Sequence, residues 1–245
     1  MVTCYDAATS KILNETSVDA LLVGDSCAMV VHGFDSTIHA TLEMMVAHTA
    51  ATRRGAPDKV IVADMPFLSF RGSVEAATQS VMQLMRAGAN GVKLERCKGN
   101  AELISRLVDA GIPVMGHLGL TPQSIHEFGG FKMQARNDLA AQTLQEEALE
   151  LEEAGCFSIV LECIPSHVAE RVTEALAIPT IGIGCGPETS GQVLVINDLL
   201  GLDSRFQPPF ARRYMDADQM ITRAIEGYCE DVREREYPGE GEYKV

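Results

Sequence analysis

The chain has 245 residues, 46% of them hydrophobic and 22% charged, and a net charge of −14. That length supports one sizeable core, and the acidity excludes nucleic acid as the main partner, because phosphate binding needs clustered Lys and Arg. The sequence has no run of about 18 apolar residues that would predict a membrane span, and MVTCYDAATSK lacks the basic-then-apolar order of a signal peptide.

In chain order, Val/Ile/Leu-rich runs at 2–5, 20–24, 60–63, 91–94, 113–116, 158–161, 179–183 and 193–196 read as strands. Between them lie amphipathic segments. One helix is predicted over 41–54 and stops at Gly55. A second follows Ser73 as N-cap, with Glu75 in its first turn, and stops at Gly88. A third covers 137–154 and stops at Gly155. Ala87-Gly88, Ala110-Gly111 and Ala154-Gly155 each precede a strand, and glycine just past a helix end is αβ-loop chemistry. Near-continuous apolar strands alternating with helices imply a parallel sheet covered on both faces. Eight such units imply an α/β fold with a single (β/α)8 TIM barrel as one catalytic domain over 1–245. An open doubly wound sheet is the runner-up. Residues 216–236 read as a helix and the tail YPGEGEYKV as polar surface chain.

Seven cysteines, Cys4, Cys27, Cys97, Cys156, Cys163, Cys185 and Cys229, are odd in number and irregularly spaced, with no C-x-x-C. A reduced, cytoplasmic protein fits this better than a disulfide framework or a zinc site.

The strand ends carry the chemistry. Asp25 follows ALLVG, Asp64 ends VIVAD, Glu95 ends GVKLE, His117 ends PVMGH and Glu162 ends SIVLE. In a barrel these ends converge on the face where active sites sit. A single terminal Asp is explained equally well as a helix N-cap; five ionisable ends, three of them Glu or His, are not. Lys93 and Glu95 are two apart and point to one side of their strand. Val92 and Leu94 suit the helix-packed outer side, which places Lys93 inside, where it needs a partner.

Three carboxylates on neighbouring strands, Asp25, Asp64 and Glu95, call for a divalent cation to offset their repulsion. An all-oxygen set selects Mg²⁺ first, Mn²⁺ second, and disfavours Zn²⁺. Such a metal suits a 2-oxo acid, whose carbonyl it polarises toward an enolate, with Lys93 neutralising further charge. Glu162, apart in sequence from the metal set, is the candidate general base, strengthened by burial. His32, His39 and His48 have no ligand-like spacing and read as loop and helix residues. IGIGCGPETSG has G-x-G-x-G rather than G-x-G-x-x-G and lies late in the chain, so it reads as a tight loop at the barrel mouth rather than a dinucleotide site. Lys132 and Arg136 in FGGFKMQARND suit a lid that meets an acidic cosubstrate or, equally, a solvated loop.

At these residues the sequence closely resembles the ketopantoate hydroxymethyltransferase family, within the phosphoenolpyruvate mutase/isocitrate lyase-like barrels. The matching stretches are LLVGDS, HTAATRRGAP, VIVADMPF, MRAGANGVKLE, GHLGLTPQS, FGGFKMQAR, VLECIP, EALAIPTIGIG and YPGE. The resemblance implies bound Mg²⁺ and transfer of a one-carbon unit from methylenetetrahydrofolate, as cosubstrate, to 3-methyl-2-oxobutanoate in pantothenate synthesis. It implies Asp25, Asp64 and Glu95 as metal ligands and Asp25, Ser26, Asp64 and Lys93 as oxo-acid contacts. Glu162 becomes the proton acceptor and His117 an active-site residue. It also implies a homo-oligomer, with decamers among family members, that works on small molecules, without nucleic acid or membrane. Two departures stand out. The family usually has a helical segment before the first strand, whereas this sequence begins at MVTCYD, so that capping helix is expected to be missing. Cys27 and Cys185 replace small or aliphatic residues beside the site. The competing readings are a related Mg²⁺-dependent 2-oxo acid C–C lyase and a non-catalytic barrel remnant.

Overall fold

A computed structural model describes residues 1–244; Val245, the end of the expected surface tail, lies outside the described residues. The strands are β1 (Val2–Thr3), β2 (Ala20–Val23), β3 (Val60–Asp64), β4 (Gly91–Glu95), β5 (Val114–Gly119), β6 (Ser158–Glu162), β7 (Thr180–Ile183) and β8 (Gly191–Gln192). They form one sheet in the order β1 to β8, and every paired strand is parallel. Val2 bridges in parallel to Leu194, and the Thr3 N–H donates to the Leu194 carbonyl at 3.1 Å, so the first strand meets the chain just beyond the last. This is the expected (β/α)8 arrangement.

The helices are α1 (Ala7–Asn14), α2 (Cys27–Val30), α3 (Leu42–Gly55), α4 (Val74–Ala87), α5 (Ala101–Asp109), α6 (Ile125–Phe128), α7 (Asp138–Glu153), α8 (Ser166–Ala175), α9 (Ile196–Leu200) and α10 (Ala217–Glu234). Ser73 caps α4 by accepting from the Ala76 N–H at 3.2 Å, as read from the sequence. The αβ returns also hold: Gly88, Gly111 and Gly155 have φ of 112°, 84° and 97°, a left-handed backbone that favours glycine. The eighth strand sits at Gly191–Gln192 rather than 193–196. The apolar run misled because Val193 is buried in the barrel core while Ile196 already opens α9. No helix separates β7 from β8; residues 184–190 turn directly, with Gly184 and Gly186 at positive φ, so the glycine-rich stretch is a loop without the helix a dinucleotide fingerprint requires.

Alternation along the strands sorts the side chains. Leu22, Val62, Met115, Val160 and Val193 form one buried cluster, with Met1, Ile181 and Ile183 packed against it. Residues one step along, such as Val92, Leu94, Ile159 and Leu161, are buried on the opposite, helix-covered side. Val62 pairs with Gly91, which puts Lys93 and Glu95 on the inner side, two and four residues farther along. All eight strands lie in a compact unit, Met1–Val195; residues from Ile196 onward, with α9 and α10, make a second. Among the described residues no helix is long and apolar enough to cross a membrane.

Candidate active site

The register gathers the strand ends. Asp64 pairs with Lys93, Glu95 with His117, and Gly119 with Glu162. Asp25, two residues past β2, joins them through its backbone N–H, which donates to Asp64 Oδ2 at 3.0 Å. Lys93 Nζ lies 3.0 Å from Asp64 Oδ1 and 3.1 Å from His117 Nδ1. His117 Nδ1 is 3.6 Å from Glu95 Oε1, and its Nε2 is 3.1 Å from Glu162 Oε2. Asp25, Asp64, Lys93, Glu95 and His117 are all buried. Glu162, for which sequence reasoning expected burial, has the most open side chain of the set at 15%. None of the five strand-end residues is a side-chain helix cap; Asp6, Ser36, Thr41, Ser73 and Asn137 fill that role.

Burial and mutual repulsion set the charges. Loss of water, then Asp64 and Glu95, push the Asp25 carboxyl well above its ordinary range, against the pull of Lys93 and Gln123. Burial pushes Glu95 up to about 7, with Lys93 partly countering it. Burial opposes the Lys93 charge, yet Asp64, Glu95 and Asp25 together outweigh it and hold the ammonium above its usual value. His117 is lowered by burial and by Lys93, which keeps the imidazole neutral near pH 7. A neutral ring with Nδ1 accepting from Lys93 carries its proton on Nε2, which stands 3.1 Å from Glu162 Oε2 without an aligned hydrogen bond.

Three residues extend what the sequence foretold. Ser26 Oγ is 2.8 Å from the Tyr5 hydroxyl, at the end of the first predicted strand. Gln123 escaped sequence reasoning altogether: its side-chain amide donates to Asp25 Oδ2 at 2.8 Å and the Met65 carbonyl at 2.9 Å, while its backbone N–H donates to Glu95 Oε2 at 3.0 Å. The one signal was a polar residue in the TPQ turn directly after a charged strand end. Gly119 closes β5 with φ of 91°, and a Cβ there would sit 2.2 Å from the Glu162 carbonyl oxygen. That carbonyl accepts from the Leu120 N–H at 2.8 Å.

Among the described residues, the other candidates make no hydrogen bond or ion pair to the clustered acids. Lys132 and Arg136 are exposed in the loop before α7. His32 and His48 face each other with Nε2 atoms 2.9 Å apart, and His48 Nδ1 meets the Tyr5 carbonyl; His39 stacks on Phe34. Cys27 and Cys185 are buried, with Sγ against Met45 Sδ at 3.7 Å and the Leu161 carbonyl at 3.2 Å.

The donor set fits a hard divalent cation. Three buried carboxyl groups face one ammonium and one neutral imidazole, and burial with mutual repulsion resists ionisation of Asp25 and Glu95, a cost that a bound cation would relieve. Asp64 Oδ1 and Glu95 Oε1 are buried and make no aligned hydrogen bond, although Lys93 Nζ stands near the first. Among the described residues no three His, Cys, Asp or Glu side chains enclose an ion by themselves. An ion here would keep water ligands, as Mg²⁺ commonly does.

A parallel barrel with ionisable side chains gathered at the carboxyl ends of its strands defines a (β/α)8-barrel enzyme. Comparison with known proteins gives the particular kind. A family model described as ketopantoate hydroxymethyltransferase matches residues 1–240. A relative named 3-methyl-2-oxobutanoate hydroxymethyltransferase from Francisella tularensis subsp. tularensis (strain FSC 198) is 50% identical over 238 residues, 97% of this chain and 90% of the relative. One of the same name from Bdellovibrio bacteriovorus is 48% identical over 242 residues, 99% and 92% of the two chains. The chain belongs to the ketopantoate hydroxymethyltransferase family.

Solved structures agree on the fold. Phosphoenolpyruvate phosphomutase from Streptomyces platensis subsp. rosaceus has a TM-score of 0.66 at 10% identity, covering 94% of this chain and 82% of that one. For 2,3-dimethylmalate lyase, a PEP mutase/isocitrate lyase superfamily member, the TM-score is 0.60 at 17% identity, covering 100% and 85%. Phosphonopyruvate hydrolase, solved in complex with oxalate and Mg²⁺, gives 0.64 at 10% identity, covering 100% and 86%.

Proposed function

We propose that this protein transfers a hydroxymethyl group from methylenetetrahydrofolate to 3-methyl-2-oxobutanoate, giving 2-dehydropantoate and tetrahydrofolate on the way to pantothenate. The observation that carries this reading is His117: in a chain of this family, it stands between Glu162 on one side and Lys93 and Glu95 on the other. A proton acceptor and a cation-holding set thus share one neutral ring.

Ser26 and Lys93 offer hydrogen-bond donors to the anionic oxo acid, with Asp25 and Asp64 beside them. Glu162 takes the C3 proton, and the electron pair moves toward the keto oxygen. Lys93 balances charge developing there. His117, with Nε2–H toward Glu162, orients that carboxylate and stabilises it between proton uptake and return. The enolate carbon forms the new bond to the folate methylene. One of the two methylene–nitrogen bonds has already opened to the folate iminium, its nitrogen taking a proton. The second methylene–nitrogen bond then breaks, a water oxygen takes its place, and that nitrogen leaves with the proton the water gives up, so that the C3 proton and the water proton end on the two nitrogens. Asp25, Asp64 and Glu95 are the residues that would hold Mg²⁺, and a bound ion would supply Lewis-acid stabilisation of the keto oxygen.

Two further parts of the reading rest on the chain itself. A homo-oligomer is supported by α10, where Ile221, Ile225, Tyr228 and Val232 recur at spacings of four, three and four. They stay 53%, 57%, 53% and 44% exposed and suit a second copy of the chain. A reducing cytoplasm is supported by seven free thiols, five of them buried. We treat 1–245 as one catalytic protein because the family match runs through both compact units.

The test is to incubate the purified protein with both substrates, with Mg²⁺ and with EDTA, and to detect 2-dehydropantoate by mass spectrometry. Product that needs both folate and metal is expected. Cleavage of an oxo acid without folate would favour a lyase instead.

A further inference from the structure

Gln123 is a neutral residue that hydrogen-bonds to two of the buried acids. Pro122 opens the short 3-10 turn Pro122–Ser124, and Gln123 within it is 7% exposed. Both hydrogens of its side-chain amide are used, one on Asp25 Oδ2 and one on the Met65 carbonyl. Its backbone N–H takes Glu95 Oε2. Asp25 lies just past β2 and Glu95 ends β4, two strands apart, and the amide comes from the loop after β5. For each acid, Gln123 occupies a single oxygen. In Glu95 the other oxygen, Oε1, is the buried atom without a hydrogen bond.

We propose that Gln123 is a positioning residue for the divalent cation, an inference that rests on the reading of Asp25 and Glu95 as its ligands. By holding one oxygen of each carboxylate, it turns the other toward the ion and fixes both rotamers. It does so with dipoles rather than a full charge. A lysine in its place would stabilise the same carboxylates but compete electrostatically with the ion; the amide does not. The Met65 carbonyl locks the amide's orientation, so its NH₂ group rather than its oxygen faces Asp25. The cluster is thereby a closed circuit: Gln123 to Asp25, Asp25 to Asp64, Asp64 to Lys93, Lys93 to His117, His117 to Glu95, and Glu95 back to Gln123.

The test uses the full chain and Mn²⁺ as the probe, with binding read from loss of the free-ion electron paramagnetic resonance signal. Gln123→Met keeps the volume and removes both side-chain donors, while the backbone bond to Glu95 stays. Outer-shell partners of this kind commonly change metal affinity by about 10–100-fold, and a weakening of about tenfold or more is expected. A purely structural role would lower the metal-free melting temperature and leave Mn²⁺ affinity within twofold of wild type, and that result would overturn the inference. Wild-type protein that binds no Mn²⁺ would overturn the ligand reading itself and the inference with it. Should Gln123→Met fail to fold, Gln123→Ala carries the same comparison.

Discussion

Replacing Lys93 with Met removes the one cation inside the cluster. The side chain is buried, 3.0 Å from Asp64 Oδ1 and 3.1 Å from His117 Nδ1. Its loss strands three buried carboxylates, and breaking a buried pair by deleting one partner costs about 3–5 kcal/mol. For a chain of this size that corresponds to a fall of roughly 6–20 °C in melting temperature. The pH dependence separates this from lost packing. Glu95, pushed up to about 7, and Asp25, raised well above its usual range, keep protons in the folded protein that the unfolded chain has already shed. Stability therefore falls as pH rises from the ordinary carboxylate range through the folded values. Lys93 pulls both carboxyls down, so its removal extends that window upward. The deficit should be largest near about pH 8 and smallest near about pH 5, where protonation relieves the repulsion. Saturating Mg²⁺ should recover more stability in the variant than in the wild type. Thermal unfolding followed by circular dichroism at both pH values, with and without Mg²⁺, reads all of this. A deficit below about 1 kcal/mol at the higher pH, or one equal at both, would refute the reasoning.

Glu162→Gln should lower turnover by about 10²–10⁴-fold and abolish deuterium exchange at C3 of the oxo acid, while calorimetry shows oxo-acid binding nearly unchanged; exchange at the wild-type rate would remove Glu162 from its role. Ile225→Asp, in the middle of the exposed α10 stripe, should shift the protein to a smaller species in size-exclusion chromatography with helical content retained, and an unchanged elution volume would count against that face as the contact.

The parts of the site that obey a period were legible in the sequence. Lys93 and Glu95 share a face because strand side chains alternate, and the alternating apolar residues Val92 and Leu94 mark the outer side. The glycine returns were legible because a left-handed helix end needs glycine, and Gly88, Gly111 and Gly155 all adopt it. The eighth strand was displaced because apolar Val193 and Ile196 announce burial, not pairing, and the ladder itself lies on Gly191 and Gln192. Gln123 carried no periodic signal: its partners lie 98 and 28 residues away, and only the closed barrel brings them together. The order of contacts through His117 was hidden for the same reason.

Gly119 has a consequence for how the two halves of the chemistry move together. The turn it permits lets the Leu120 N–H rest on the Glu162 carbonyl, three residues before the amide that grips Asp25. The strand bearing Glu162, the proposed proton acceptor, and the loop bearing Gln123, the proposed steadier of Asp25 and Glu95, thus share one pivot of bare backbone. A side chain at this position would meet the Glu162 carbonyl and Ile164, and so would strain the backbone contact through which the Gln123 loop leans on the β6 strand end. Displacement in one half would be transmitted across about three residues of chain to the other.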